Sequence, residues 1–289
     1  MDYFNSFREM LSLRGLTDHT ITSYSTYIST YLNYLESINC SPSDASWQIM
    51  RDFIRWLETE RSLADRTINA VISQLRFFHI YVLHKEWDPS QLPYRRFDTY
   101  LPYVPDQETV WRFISTIKNL RFKAIAALMY SAGLRSGEVR NLKVSDISST
   151  SMRIHIRHGK NRNDRYAPLS KRALKILNEY WRTCGRPMDW LFPVKSRKDG
   201  SMVPICSGQL CVLIQKHEEE LGWEHRITAH TFRHAYATHL YENGADLITI
   251  KNLLGHRSLN STTIYIHLAN RSLRSCPNPF DQMGGNADE

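Results

Sequence analysis

Between residues 230 and 265 a histidine, an arginine, a second histidine and a tyrosine come from three short stretches, His230-Thr231-Phe232-Arg233-His234, Leu254-Gly255-His256 and Tyr265. Each residue type has its own chemistry. A guanidinium clasps anionic oxygens in a planar fork, an imidazole gives or takes a proton near neutral pH, and a phenol becomes a nucleophile beside cations and a proton acceptor. Together they suit attack on an anionic centre such as a phosphodiester.

Helix geometry brings the set together. At about 100° per residue, His230, Arg233, His234 and Ala237 share one face, opposite Phe232, Ala235, Tyr236, His239 and Leu240. The second face can pack while His230 and Arg233 point elsewhere. Gly244 stops this helix, Asp246 is placed to cap the next, and Gly255 ends that one after Leu254. Ser261 is placed to cap a short segment carrying Tyr265.

This stretch resembles the C-terminal signature of the tyrosine recombinases, the phage integrase family: H-x-L-R-H, then L-G-H, then a tyrosine nine residues on. Phe232 stands where leucine is usual, on the packing face. Upstream, Gly133-Leu134-Arg135-Ser136-Gly137-Glu138 through Leu142 resembles the family's first arginine motif, G-L-R-x-x-E-x-x-x-L. Gly159, Lys160, Arg165, Pro168 and Leu169 match a hairpin motif, G-K-x-x-x-x-R-x-x-P-L. In one order, arginine motif, lysine, H-x-x-R, L-G-H and tyrosine span essentially the whole C-terminal domain.

The resemblance implies a mechanism. Arg135 and Arg233 would hold the non-bridging oxygens of the scissile phosphate and stabilise its transition state, with His256 donating a third hydrogen bond. Tyr265, with an ordinary pKa of about 10, would attack, His230 would take its proton, and Lys160 would protonate the departing 5′ oxygen. Glu138 would hold Arg135 from behind. Arg140 has no assignable role. The product would be a 3′-phosphotyrosyl protein, religated without ATP. With arginines in place of a cation, neither metal nor cofactor is expected.

The rest of the chain should position this set. Three or four amphipathic helices read through the first 88 residues. Ile21, Tyr24, Ile28, Leu32 and Leu35 recur after Asp18 as cap, followed by Ile49, Phe53, Trp56 and Leu57, then Ile68 through Val82. Arg61, Arg66, Thr67, Asn69 and Arg76 lie on or near faces that need not be buried and suit phosphate contacts. Pro89, Pro93, Pro102 and Pro105 punctuate residues 89–105, read as a linker that also carries Arg95 and Arg96. The second domain, 106–289, opens with Asp106 before a helix carrying Val110 to Ile117. A buried helix, Phe122 to Ser131, precedes Gly133. Met152, Ile154 and Ile156 alternate with Arg153, His155 and Arg157 into a hairpin, with Arg165 on its return strand as a further DNA contact. Residues Lys171 to Gly222 read as helices joined by a loop around Phe192 to Pro204. The expected fold is therefore mainly α: a helical core-binding bundle plus a mostly helical catalytic domain with a small antiparallel sheet, the DNA breaking-rejoining fold.

A net charge of +8 favours a polyanionic partner. No apolar run approaches the ~18 residues of a membrane span, and the N-terminus lacks a signal-like apolar core. Five scattered cysteines without a C-x-x-C pair suggest neither disulfides nor a thiolate zinc site. The i, i+4 pair His230 and His234 lacks the glutamate of H-E-x-x-H, and His225, His234, His239 and His267 are read as structural. Double-stranded DNA is the expected partner, in the cytoplasm and on the nucleoid. By resemblance the protein would act as a tetramer on two duplexes through a Holliday junction, of the Xer-like or transposon-borne type without an arm-binding domain. Leu273 and Phe280 would anchor the tail in a neighbouring protomer. A type IB topoisomerase and a DNA-binding regulator without catalysis are the rival readings.

Overall fold

The computed structural model describes residues 2–98, 100–157, 164–196 and 198–269. It divides into two compact units, 1–99 and 100–289.

The first unit consists of four helices, α1 (Tyr3–Leu13), α2 (Asp18–Ser37), α3 (Trp47–Arg61) and α4 (Asp65–Tyr81). Their apolar stripes meet in one core of Phe7, Ile28, Tyr31, Phe53, Ile68, Val71 and Phe78. Thr17, not Asp18, caps α2, and Asp18 instead places a negative charge in its first turn. The proline-punctuated segment does not run free of this bundle. Leu92 is buried in its core, and Arg95 binds Glu58 at 2.6 and 2.9 Å and Asp65 at 3.0 Å. In the second unit Pro105 is buried.

The second unit opens with α5 (Gln107–Thr116), capped by Asp106, and α6 (Leu120–Ala132), capped by Asn119. Alanine-rich α6 is buried nearly all round, as a helix at the centre of a domain must be. Gly133 ends it with φ of 60°, and a Cβ there would come within 2.5 Å of Tyr236 and 2.8 Å of Leu254. The short α7 (Ser136–Arg140) follows, then a 3-10 turn and a three-stranded antiparallel sheet of β1 (Ile147–Ser148), β2 (Arg153–Ile156) and β3 (Arg165–Pro168), in that order. Ile154 pairs with Ala167 and Ile156 with Arg165, so these four share a face. Both isoleucines on it are buried.

Next come α8 (Lys171–Thr183) and α9 (Ser207–Leu221), and the expected loop between them contains a hairpin of β4 (Pro193–Lys195) and β5 (Met202–Pro204). Its strands of three residues are too short for an alternating pattern to register. The chain ends in α10 (Ala229–Glu242), α11 (Leu247–Leu254) and α12 (Asn260–Leu268). Helix α10 corrects the two-faced expectation. Every residue from Thr231 to His239 except His234 is buried, because α5, α6, α11 and α12 surround it. Ser261 lies inside α12 rather than at its cap, and the Ser258 hydroxyl accepts the Asn260 N–H at 3.2 Å instead. Among the described residues no helix is long and apolar enough to cross a membrane.

Candidate active site

Glu138 is the junction of the site. It occupies the third position of α7, where its carboxylate accepts the backbone N–H of Arg135 at 2.9 Å and the Arg135 guanidinium at 2.7 Å. The same carboxylate is gripped from the sheet by both terminal nitrogens of Arg165, at 2.7 and 2.9 Å. Arg165 also donates its Nε to the Leu253 carbonyl at 3.1 Å, one residue before the end of α11. It was expected to contact DNA. Its register opposite Ile156 turns it into the protein, with a side chain only 11% exposed, and there it joins three segments remote in sequence.

Arg233 enters from α10. It donates to the Gly133 carbonyl and to the Leu254 carbonyl, both at 2.6 Å, capping the ends of two other helices. Its guanidinium is 4.0 Å from Glu138. Burial, and then the charge of Arg135, lower its pKa to about 10. Three guanidiniums thus surround one carboxylate. The excess positive charge, held partly out of water, is what a bound anion would neutralise.

Burial alone would raise the Glu138 pKa, but the hydrogen bonds and charge of Arg165, then those of Arg135, bring it down to about 2. A depressed carboxylate stabilises the fold fully above its unfolded pKa near 4.3 and loses that contribution as pH falls towards 2, on the order of 3 kcal/mol in all. Replacing Glu138 by glutamine should remove it at neutral pH, lowering unfolding stability by about 3–5 kcal/mol. Denaturant titration of both proteins at pH 7 and pH 3 checks this: the gap between them should narrow in acid.

His256 follows Gly255, whose φ of 64° turns the chain back over α11. The ring lies stacked on Tyr265 at 6.4 Å and 13°, and its Nδ1 is 2.9 Å from the Thr262 hydroxyl. Burial, then Arg233, Arg135 and Arg165, lower its pKa to about 4, so it is neutral at neutral pH and can donate from one nitrogen. Tyr265 is 1% exposed. Burial raises its pKa, while Arg233 and Arg135 pull the other way. The phenol therefore feels both arginines.

His230, the second residue of α10, is exposed. His234, set aside as structural, proves to be part of the cluster. Its ring lies 6.4 Å from that of His230 and 5.9 Å from that of Tyr265, and its buried Nδ1 has no hydrogen-bond partner among the described residues. Burial, then the charges of His230 and Arg233, lower its pKa to about 4. Its place one helical turn after His230 was the available signal. Lys160 lies outside the described residues.

The expected phosphate contacts of the first unit divide. Arg61 lies over the Trp56 ring and Arg66 over the Phe97 ring, each exposed, and Arg76 and Arg96 are exposed. Thr67 is half-buried. Asn69 is occupied, exchanging hydrogen bonds of 2.9 and 2.8 Å with the backbone of Arg95, which is itself held by two carboxylates. Asn69 and Arg95 therefore brace the bundle. No group of three or more metal-ligating side chains occurs among the described residues.

Comparison with known proteins agrees with this architecture. The phage integrase family matches residues 105–271, and the phage integrase N-terminal SAM-like domain matches residues 3–89. A Sinorhizobium fredii protein named as an integrase/recombinase, y4qK, is 34% identical over 276 residues, 95% of this chain and 87% of its own. The tyrosine recombinase XerA of Pyrococcus horikoshii is 31% identical over 278 residues, 94% of this chain and 91% of its own. The crystal structure of XerH bound to its palindromic difH substrate after cleavage shares the fold, with a TM-score of 0.70 at 21% identity, covering 90% of this chain and 80% of that one. With both family models matched in order and the arginines of the two arginine motifs meeting at one carboxylate, the chain belongs to the phage integrase family, the tyrosine recombinases.

Proposed function

We propose that the protein is a site-specific DNA recombinase that cleaves one strand of a duplex through Tyr265 and rejoins it to a partner strand. The observation that carries this reading is the cluster of Arg135, Arg165 and Arg233 around the single carboxylate of Glu138, with the Tyr265 phenol under the charge of two of them. Arg135 and Arg233 hold the scissile phosphate, and His256 donates a further hydrogen bond to it. The Tyr265 oxygen attacks phosphorus, its proton passing to His230, and the bond to the 5′ oxygen breaks. Lys160 gives that oxygen its proton. A phosphate ester is exchanged for a phosphate ester, so the reverse attack by a 5′ hydroxyl restores the strand without ATP. Glu138 and Arg165 keep the arginines in place and touch no reacting atom.

Exposed Arg61, Arg66, Arg76 and Arg96, with Thr67, are the contacts assigned to the DNA backbone, domain 1–88 gripping the duplex and 106–289 performing the chemistry. The working assembly is a tetramer on two duplexes, in the cytoplasm and on the nucleoid.

Nicked suicide duplexes incubated with the protein and resolved on a denaturing gel should show a protein–DNA adduct, followed by strand exchange when two sites are supplied. The adduct should form equally well in EDTA, since guanidiniums fill the role of a metal. A strict divalent-ion requirement would contradict the scheme. Relaxation of supercoils without exchange between sites would favour a topoisomerase, and binding without an adduct a regulator.

A further inference from the structure

The hydrogen bond between His256 and Thr262 places a constraint on the site that the motif does not spell out. Thr262 is 0% exposed and lies on α12, one turn before Tyr265. Its hydroxyl is 2.9 Å from Nδ1 of His256, and it forms no other side-chain hydrogen bond among the described residues. Two arrangements fit that distance. If Nδ1–H donates to the hydroxyl, the hydroxyl hydrogen is buried without an acceptor, and the other ring nitrogen presents a lone pair to the phosphate. If the hydroxyl donates to Nδ1, the buried donor is satisfied and the ring proton resides on Nε2.

We propose that Thr262 is a positioning residue that fixes the tautomer of His256, donating to Nδ1 so that Nε2–H is left to donate to the scissile phosphate. This rests on the reading of His256 as a phosphate donor. It also ties the helix that carries the nucleophile to the loop that carries the donor. Helix α12 can move with Tyr265 only if the His256 ring follows or loses its tautomer control. Burial, and then the charge of the three arginines, disfavours an imidazolium and leaves one proton to be placed on one of two nitrogens.

Long-range proton–nitrogen spectra of the full chain labelled with ¹⁵N-histidine read the tautomer directly, with the His256 signals identified by their loss in His256→Gln. The wild-type protein and Thr262→Ser should show the Nε2–H form, and the near-isosteric Thr262→Val a mixture or the Nδ1–H form. On the suicide duplex, Thr262→Val should form adduct ~10-fold or more slowly at saturating protein, and Thr262→Ser within about 3-fold of wild type, the range expected for an outer-shell hydrogen bond. A wild-type His256 in the Nδ1–H form overturns the proposal, as does a tautomer indifferent to Thr262→Val. A changed tautomer with unchanged cleavage overturns the phosphate-donor half and so the proposal. If the wild-type protein forms no adduct on any duplex, it is the recombinase reading that fails, while the spectra still report the tautomer.

Discussion

Replacing Tyr265 by phenylalanine is expected to abolish covalent capture of DNA while leaving duplex affinity and thermal stability nearly unchanged. The substitution removes one oxygen from a ring that is buried against His256, Tyr236, Ala237, Ile250 and Leu254, so the apolar packing survives. The phenol forms no hydrogen bond with the described residues, so its loss leaves no partner unsatisfied among them. In the proposed mechanism the chemistry loses its nucleophile. Removing a nucleophile outright costs on the order of 10⁶ in rate in a hydrolase that uses one, which for strand cleavage means no detectable adduct. The measurement is a time course on the suicide duplex beside a mobility-shift titration. An adduct in Tyr265→Phe would move the attacking group elsewhere.

The second large effect falls on Arg233→Lys. Charge is kept, but an ammonium on a flexible stem cannot bridge the Gly133 and Leu254 carbonyls, which Arg233 reaches with separate nitrogens, and also present a fork to phosphate. Adduct formation should fall by about 10²–10³, roughly 3–4 kcal/mol in the barrier, the usual result of losing one donor to a developing charge. DNA binding should weaken far less, because the charge survives. Single-turnover cleavage at saturating protein separates the two. A rate within about threefold of wild type would mean that Arg233 serves the fold rather than the phosphate, since losing a transition-state donor costs far more.

Much of this architecture was legible in the residues. Asp246 before α11 and Gly255 after it are local signals, fixed by capping and by positive φ, and they survive folding unchanged. The stripe Ile21, Ile28 and Leu35 marks the inner face of α2 because a surface helix has only one neighbour side. Local signals fail where a helix has neighbours all round. Arg233 read as pointing away from the core, yet α10 is enclosed, and a guanidinium can enter that interior only because two helix ends offer it carbonyls. Arg165 read as a DNA contact because it is basic and lies on a hairpin. Its true direction follows from strand parity, which depends on the pairing of Ile156 with Arg165. His234 read as a structural residue. The ring that brings it into the cluster, that of Tyr265, lies on α12, 31 residues further along the chain.

The grip of Arg165 on Glu138 has a consequence for modular engineering. The hairpin is the obvious unit to transplant between relatives in order to alter DNA preference. It is also one wall of the candidate active site, and a graft without an arginine in this register would leave the carboxylate half-held and the end of α11 with Arg233 alone of the two arginines that now donate to it. Portability of that module is therefore decided by one inward-facing cation on its return strand.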